Sequence, residues 1–266
     1  MRRLALVLAL LVVVAQTVAA AEPAWMTKPL KADEAIVVYL YHSGWLVRTH
    51  SHVLIFDPVA APGQKILEPL GVPPTALAGR NVTVLVSHAH SDHWDPSILG
   101  WVEQVPGIHY VFGWELEAKE PHVCLGRNRV VTRMGGVTIY NVHHAFDGIP
   151  ESAFLVHADG LWLYHAGDHS HSRGAKDKTF RDNLSYLASR THHLDLMFTP
   201  TWGGELYAIR VLRPRVVFPM HDGGREVQYA RWASRSEVAA PPIVVGIADR
   251  PGRRFLYRNG RLRRAP

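Results

Sequence analysis

One short segment of the chain concentrates side chains that bind metal ions. Residues 87–93 read Ser-His-Ala-His-Ser-Asp-His, and they follow directly on the apolar run 82–86, which predicts a strand. In an extended segment His88 and His90 point to the same side, because side chains alternate with a period of two. Both can therefore bind one ion, and imidazole with carboxylate suits Zn²⁺, Mn²⁺ or Fe²⁺. The alternative is a surface loop that is merely rich in histidine.

The two residues after this pair extend the prediction to a second ion. Asp92 and His93 lie where the chain turns toward a helix, predicted over 96–104 with Asp95 as N-cap and Pro96 as its first residue. Such a turn can direct both side chains toward a neighbouring ion. The segment therefore predicts two adjacent divalent ions, with Zn²⁺ expected first and Mn²⁺ or Fe²⁺ as alternatives.

The spacing His-x-His-x-Asp-His resembles the signature of the metallo-β-lactamase superfamily, whose members are αββα-sandwich metallohydrolases. The rest of that superfamily's pattern occurs in order, each part at the end of a predicted strand: Asp57 after 53–56, His143-His144 after 137–142, Asp168 after 161–164 and His221 after 216–218. The resemblance spans residues 36–222. It implies an α+β chain folded as a four-layer αββα sandwich.

The resemblance also implies seven metal ligands: His88, His90 and His144 for the first ion, Asp92, His93 and His221 for the second, and Asp168 as the bridge between them. His144 is preferred to His143 because the superfamily's ligand usually lies just beyond the last pleat of its strand. Asp57 would lie beneath the metal-binding segment and support a ligand.

Two such ions would lower the pKa of a bridging water, and the resulting hydroxide would attack a carbonyl or phosphoryl centre. Asp92 and Asp168 are the expected catalytic residues, Asp92 because it can accept the nucleophile's proton. The expected function is an exported dinuclear metal-dependent hydrolase that cleaves an ester, lactone or phosphodiester. A non-catalytic binding module with this fold and a true β-lactam hydrolase remain as alternatives.

Several segments suggest the branch of the superfamily. Residues 41–46, 199–204 and 219–223 resemble the L-ascorbate-6-phosphate lactonase-like branch, which in turn resembles a phospholipase D that cleaves a lipid phosphodiester. Metallo-β-lactamases often use a cysteine ligand, whereas Cys124 falls outside every ligand position, which disfavours antibiotic hydrolysis. A small-molecule or lipid-like substrate is therefore expected.

The first 21 residues have the three parts of a secretory signal peptide. Arg2 and Arg3 precede an apolar run over 4–15, and three alanines ending at Ala21 form a small-residue cleavage site. The run is shorter than the roughly 20 residues that span a bilayer, so no stable transmembrane span is expected in the mature chain. Cleavage near Ala21 would leave a single domain over residues 22–266, periplasmic or secreted; an uncleaved anchor is the alternative.

Composition excludes several other classes of protein. Of the 266 residues 47% are hydrophobic and 20% charged, which excludes a disordered chain, and the single cysteine excludes an intramolecular disulfide. The net charge of +6 is mild, and arginines cluster in the last seventeen residues, so no nucleic-acid partner is expected. The oligomeric state is left open by these features.

Apolar runs predict strands over 36–41, 53–56, 82–86, 108–112, 137–142, 154–156, 161–164, 194–198, 216–218 and 243–245. Further helices are predicted over 177–190, 205–212 and 226–233. Asp159-Gly160 predicts a tight hairpin turn, and the Arg-rich end predicts one final strand. The loop from His169 to Lys178 is interpreted as solvated, with anion binding or proton donation by His169 as alternatives. His42 is interpreted as a partner of local backbone groups rather than a ligand.

Overall fold

The computed structural model describes residues 22–117, 122–146, 148–170, 177–235, 238 and 243–265. The predicted signal peptide and most of the His169–Lys178 loop lie outside these residues. Within the described ranges, no helix combines the length and the apolar character needed to cross a bilayer.

The first of two sheets carries the metal-binding segment. Its eight strands lie in the order β15-β14-β1-β2-β3-β4-β5-β6. Their bounds are β1 Glu34–Tyr41, β2 Gly44–Arg48, β3 His52–Phe56, β4 Asn81–Val86, β5 His109–Phe112, β6 His122–Cys124, β14 Arg254–Arg258 and β15 Arg261–Ala265. Strands β3 to β6 are parallel to one another. The residues that follow β3 and β4, Asp57 and Ser87, therefore meet at one edge of the sheet.

The second sheet supplies the remaining predicted ligands. Its seven strands lie in the order β13-β12-β11-β10-β9-β8-β7. Their bounds are β7 Val131–Met134, β8 Val137–Phe146, β9 Ile149–Ala158, β10 Leu161–His165, β11 Leu194–Pro200, β12 Pro214–Met220 and β13 Val244–Val245. Strands β10 to β13 are parallel, so Asp168 and His221 follow strands that end at the same edge.

The two sheets pack face to face, and β1 shows how both faces are buried. Val37 and Tyr39 belong to the core between the sheets, whereas Ile36 and Val38 belong to a second cluster on the outer face of the first sheet. This alternation is the period of two expected of a strand, with apolar residues on both sides. The hydrophobic effect therefore stabilises packing on both faces of the first sheet, and the predicted α+β sandwich is confirmed.

Helices cover the outside of the sandwich. They are α1 Ala24–Thr27, α2 Lys178–Ala188, α3 Glu205–Leu212 and α4 Val227–Ala233. The predicted helix after the metal-binding segment is a 3₁₀ helix, Pro96–Glu103, and the Asp95 side chain accepts a hydrogen bond from the Ser97 N–H at 2.8 Å as its N-cap. The helix predicted over 205–212 is confirmed at both ends.

Two turns of the same type had different outcomes. The predicted hairpin at Asp159-Gly160 is confirmed, with φ of 49° and 80°. The single final strand was wrong, because β14 and β15 form a hairpin around Asn259-Gly260, where φ is 43° and 79°. An Asn-Gly pair is itself a hairpin signal, since both residues tolerate positive φ.

Candidate metal centre

Six of the seven predicted ligands converge beyond the ends of β4, β10 and β12, around the carboxylate of Asp168. Its Oδ1 lies 3.0 Å from His221 Nε2 and 3.2 Å from His93 Nε2, and its Oδ2 lies 3.7 Å from His88 Nε2. His88 and His93 are completely buried, while Asp168 is 8% exposed. The two carboxylate oxygens therefore face different sets of imidazoles.

Ligand atoms of these residues form three overlapping groups, each with all atoms within 4.8 Å of one another. The groups are His88, His90 and Asp92; His88, His93 and Asp168; and His42, Asp92, His93 and His221. Asp92, His88 and His93 each belong to two groups. The groups are therefore contiguous, as the ligands of two neighbouring ions would be.

The atoms that face this centre fit a cation. His88 Nε2, His93 Nε2, His221 Nε2 and Asp168 Oδ1 are buried, yet none makes a hydrogen bond of good geometry with the described residues. Buried polar atoms nearly always have a hydrogen-bond partner. Here the imidazole nitrogens approach Asp168 without the direction of hydrogen bonds, because these nitrogens and the carboxylate oxygen all face the space between the residues. Imidazole nitrogens and carboxylate oxygens in that arrangement suit a divalent transition metal.

Asp57 orients His93 from below. This buried carboxylate accepts hydrogen bonds from the Ser87 N–H at 2.7 Å, from Ser87 Oγ at 2.8 Å and from His93 Nδ1 at 2.8 Å. His93 therefore carries a proton on Nδ1 and directs Nε2 toward Asp168. Burial alone would lower the pKa of His93, but the neighbouring carboxylates of Asp168 and Asp57 raise that pKa to about 10.

Ser87 orients His88 through the same network. Because the Ser87 hydroxyl donates its proton to Asp57, its oxygen can only accept from His88 Nδ1, which lies 2.9 Å away. His88 must then carry its proton on Nδ1, which leaves the Nε2 lone pair available. Burial, reinforced by His93, lowers the pKa of His88 to about 4, so this imidazole is neutral as a metal ligand must be.

His42 has a larger part in the centre than the sequence indicated. Its Nδ1 accepts a hydrogen bond from the Gly223 N–H at 3.2 Å, so the partnership with backbone groups near the site is present. Its Nε2 therefore carries the proton and lies 3.3 Å from Asp92 Oδ2. The proximity of His42 is the main reason that the pKa of Asp92 lies far below its usual range. His42 thus lies beside Asp92, which is half exposed, as an electrostatic partner.

His144 is the predicted ligand that falls outside the three groups formed by the described residues. Its ring lies edge-on to His169, with 5.8 Å between the ring centroids. The neighbouring His143 is partly buried; its backbone N–H donates to Asn128 Oδ1 at 2.8 Å, and its carbonyl accepts from Asn183 Nδ2 at 3.1 Å. The choice between His144 and His143 stays a prediction.

His169, the first residue of the His169–Lys178 loop, is buried. The prediction of a solvated loop is therefore wrong at this residue. His169 is 2% exposed and contacts the Tyr164 hydroxyl at 3.1 Å and Asn183 Nδ2 at 3.2 Å. Burial and the proximity of His144 lower the pKa of His169 to about 3. The ring is therefore neutral and held against α2.

Comparison with known proteins identifies the family. A family model described as the beta-lactamase superfamily domain matches residues 36–221, about two thirds of the chain. The chain belongs to the metallo-β-lactamase superfamily. Metal-dependent hydrolases named UPF0173 are similar to this superfamily member along most of their own length. The one from Desulfitobacterium hafniense is 29% identical over 207 residues, which cover 66% of this chain and 82% of that protein.

Two further relatives extend the comparison. The UPF0173 metal-dependent hydrolase of Opitutus terrae is 29% identical over 244 residues, which cover 79% of this chain and 95% of that protein. The solved structure of Igni18, a metallo hydrolase from Ignicoccus hospitalis, has a TM-score of 0.58 at 16% identity and covers 84% of this chain and 98% of its own, which shows the shared fold. This metallo-β-lactamase superfamily protein is a metal-dependent hydrolase.

Proposed function

We propose that this hydrolase is exported and uses two divalent metal ions, most simply Zn²⁺, to cleave an ester, a lactone or a phosphodiester. The observation that carries the proposal is the position of Asp168. One of its oxygens faces His93 and His221 at 3.2 and 3.0 Å, and the other faces His88 at 3.7 Å. A carboxylate whose oxygens face separate imidazole sets suits a bridge between two cations, because it offsets their repulsion and fixes their separation.

The proposed division of the residues between the ions is the one expected from the sequence. His88, His90 and a third histidine, His144 by prediction, would hold one ion; Asp92, His93 and His221 would hold the other, with Asp168 shared. Bound there, the ions would supply Lewis acidity and a water acidic enough to serve as nucleophile near neutral pH. The proposed ligands of the second ion come from the metal-binding segment and from the end of β12. They are brought together only when the chain is folded.

Asp92 and Asp168 have different surroundings and therefore different roles. Burial would raise the pKa of Asp168, but His221 and His93 hold that pKa far below its usual range, so this carboxylate stays ionised. Asp92 is exposed, and its Oδ2 lies 3.3 Å from His42 Nε2. Asp92 is thus the carboxylate that can meet an incoming substrate, accept a proton from the attacking water and exchange it with solvent.

Export is proposed on the composition of residues 1–21. The arginines at the start, the apolar run over 4–15 and the alanines that end at Ala21 support cleavage there and a periplasmic or secreted mature protein. Sequencing of the N-terminus of protein from its native host should begin near Glu22. Recovery of intact Met1 from the cytosol would contradict export.

A substrate screen with two matched variants tests the proposed activity. Residues 22–266, loaded with Zn²⁺, would be assayed on lactones, aryl esters, bis-aryl phosphodiesters and β-lactams. Asp168→Asn removes the proposed bridge, and Asp249→Asn makes the same change at an aspartate whose side chain is 44% exposed and pairs with Arg253. We expect turnover of an ester, lactone or phosphodiester by the unchanged protein and by Asp249→Asn, and a loss of about 100-fold or more in Asp168→Asn.

The other outcomes separate the alternatives. Turnover of β-lactams alone would make the protein a true β-lactam hydrolase. Two bound ions without turnover of any compound would favour a binding module that keeps the fold. Equal activity in Asp168→Asn and Asp249→Asn would show that Asp168 is not a bridge between two ions.

A further inference from the structure

A groove of about 370 Å³ lies beside His221 and has no part in the hydrolytic chemistry described above. Three arginines line it, Arg225, Arg231 and Arg235, together with the indole rings of Trp202 and Trp232. A groove with several guanidinium groups and aromatic walls has the composition of a site for an organic anion.

The helix α4 directs part of this charge into the groove. One side of α4 carries Gln228 and Arg231, which are three residues apart, and Arg235 lines the groove from just beyond the end of the helix. The opposite side carries Tyr229, which is fully buried and whose hydroxyl accepts a hydrogen bond from the Asp222 N–H at 2.9 Å. Packing of Tyr229 on the core therefore fixes the rotation of α4 and with it the direction of the arginine side.

Among the described residues that line it, the groove has an excess of positive charge. Arg225 pairs with Asp222 at 2.9 Å, and Arg235 lies 3.8 Å from the buried Glu205. Arg231 contacts the amide oxygen of Gln228 at 3.5 Å, and none of the described carboxylates lies within 4.0 Å of its guanidinium. A concave surface with an unbalanced cation attracts anions, because the low-dielectric walls reduce screening.

Trp202 joins the groove to the metal centre. Its indole ring lies edge-on to His221 with 5.4 Å between the ring centroids, and its Nε1 lies 3.4 Å from His221 Nδ1. Asp222, which directly follows His221, is held by a hydrogen bond from Thr201 Oγ1 at 3.1 Å. A molecule that occupies the groove is therefore separated from a predicted ligand by a single side chain.

We propose that the groove binds an anionic group of the substrate, a carboxylate or a phosphate that is separate from the bond being cleaved. Arg231 would make the charge-assisted hydrogen bonds, and the indole of Trp202 would guide the rest of the substrate toward the metal centre. The groove would thus select acidic esters or lactones over neutral ones. The expected effect on ester hydrolysis rests on the proposed hydrolytic function, whereas the binding of an anion in the groove does not.

A pair of esters tests the selection. The metal-loaded protein would be assayed on 4-nitrophenyl acetate, which is neutral, and on the mono-4-nitrophenyl ester of glutaric acid, which carries a distant carboxylate. Arg231→Gln should lower kcat/KM for the glutarate ester about tenfold and leave that for the acetate ester unchanged. Arg210→Gln is the matched control, because Arg210 is an exposed arginine on α3 beside Tyr207 and outside the groove. Equal losses on both esters, or no loss on the glutarate ester, would overturn the proposal.

A binding measurement keeps the groove testable if no ester is cleaved. Glutarate and glycerol phosphate would each be titrated calorimetrically into the metal-loaded protein, into Arg231→Gln and into Arg210→Gln. Binding of either acid that weakens about tenfold in Arg231→Gln alone supports the groove, and the acid that binds identifies carboxylate or phosphate as the anion. Absence of binding, or equal affinity in all three proteins, would overturn it; absence of turnover alone would count against the hydrolytic proposal.

Discussion

Asp57→Asn tests whether the support beneath the metal centre determines its affinity. The substituted side chain keeps its size and one carbonyl oxygen, which can still accept the Ser87 N–H now bonded at 2.7 Å. The amide group replaces the oxygen that accepts from His93 Nδ1 at 2.8 Å. An N–H of the new amide would then face His93 Nδ1, so the stable tautomer of His93 would carry its proton on Nε2. That nitrogen could no longer bind a metal ion without breaking the new hydrogen bond.

The expected magnitude follows from this change of tautomer. Loss of a carboxylate that orients a ligating histidine typically lowers metal affinity 10–100-fold. We therefore expect the ion held by His93 to bind more weakly by about 1.4–2.7 kcal/mol. The ion held by His88 should also bind more weakly, because the Ser87 hydroxyl loses the oxygen to which it donates at 2.8 Å and no longer fixes the proton of His88 on Nδ1.

Competition with a chromophoric chelator measures both affinities. Asp195→Asn is the control, because Asp195 is also a buried aspartate, which accepts from Tyr257 Oη at 2.5 Å and from the Trp162 N–H at 2.9 Å away from the predicted ligands. It reports the general cost of a buried Asp→Asn change, checked by thermal unfolding. Metal affinity in Asp57→Asn equal to that in Asp195→Asn would show that Asp57 does not determine the affinity of the centre.

Three further predictions concern the ligands. Asp168→Asn should retain about one ion per chain by native mass spectrometry, because the amide lacks the charge that offsets repulsion between two cations; retention of two ions would show that Asp168 is not the bridge. His144→Ala should lose more metal and activity than His143→Ala, and the reverse order would shift the ligand by one residue. Because the pKa of His93 is raised to about 10, the chelator-stripped protein should release about one proton per ion bound through His93 at pH 7.5. Calorimetric titration in two buffers of different ionisation enthalpy measures this release, and identical heats would contradict it.

The metal-binding segment was predictable because its chemistry is local. Three imidazoles and a carboxylate within residues 88–93 need only a strand before them and a turn after them to face the same space. The same holds for Asp168 and His221, which follow apolar runs that are strands in the structure. Parallel strands that end at one edge then bring these residues together.

The roles of His42 and of the groove could not be predicted in this way. His42 is oriented by the Gly223 N–H, a partner 181 residues away in the sequence, and neither residue type nor spacing indicates that contact. Arg231 faces a groove only because Tyr229 fixes the rotation of a short helix. Strand β7 was missed for a different reason: it lies at a sheet edge, where Val131 is 49% exposed and no continuous apolar run is needed.

The proposed dinuclear centre is tested most directly by a titration of the chelator-stripped protein with Zn²⁺, in which hydrolysis of the best substrate from the screen is followed at each addition. If two ions are needed, activity should be almost absent without metal and should rise until two equivalents of ion per chain have been added. Hydrolysis that is complete at one equivalent would contradict the dinuclear centre, and hydrolysis by the stripped protein would contradict a role for metal in the reaction.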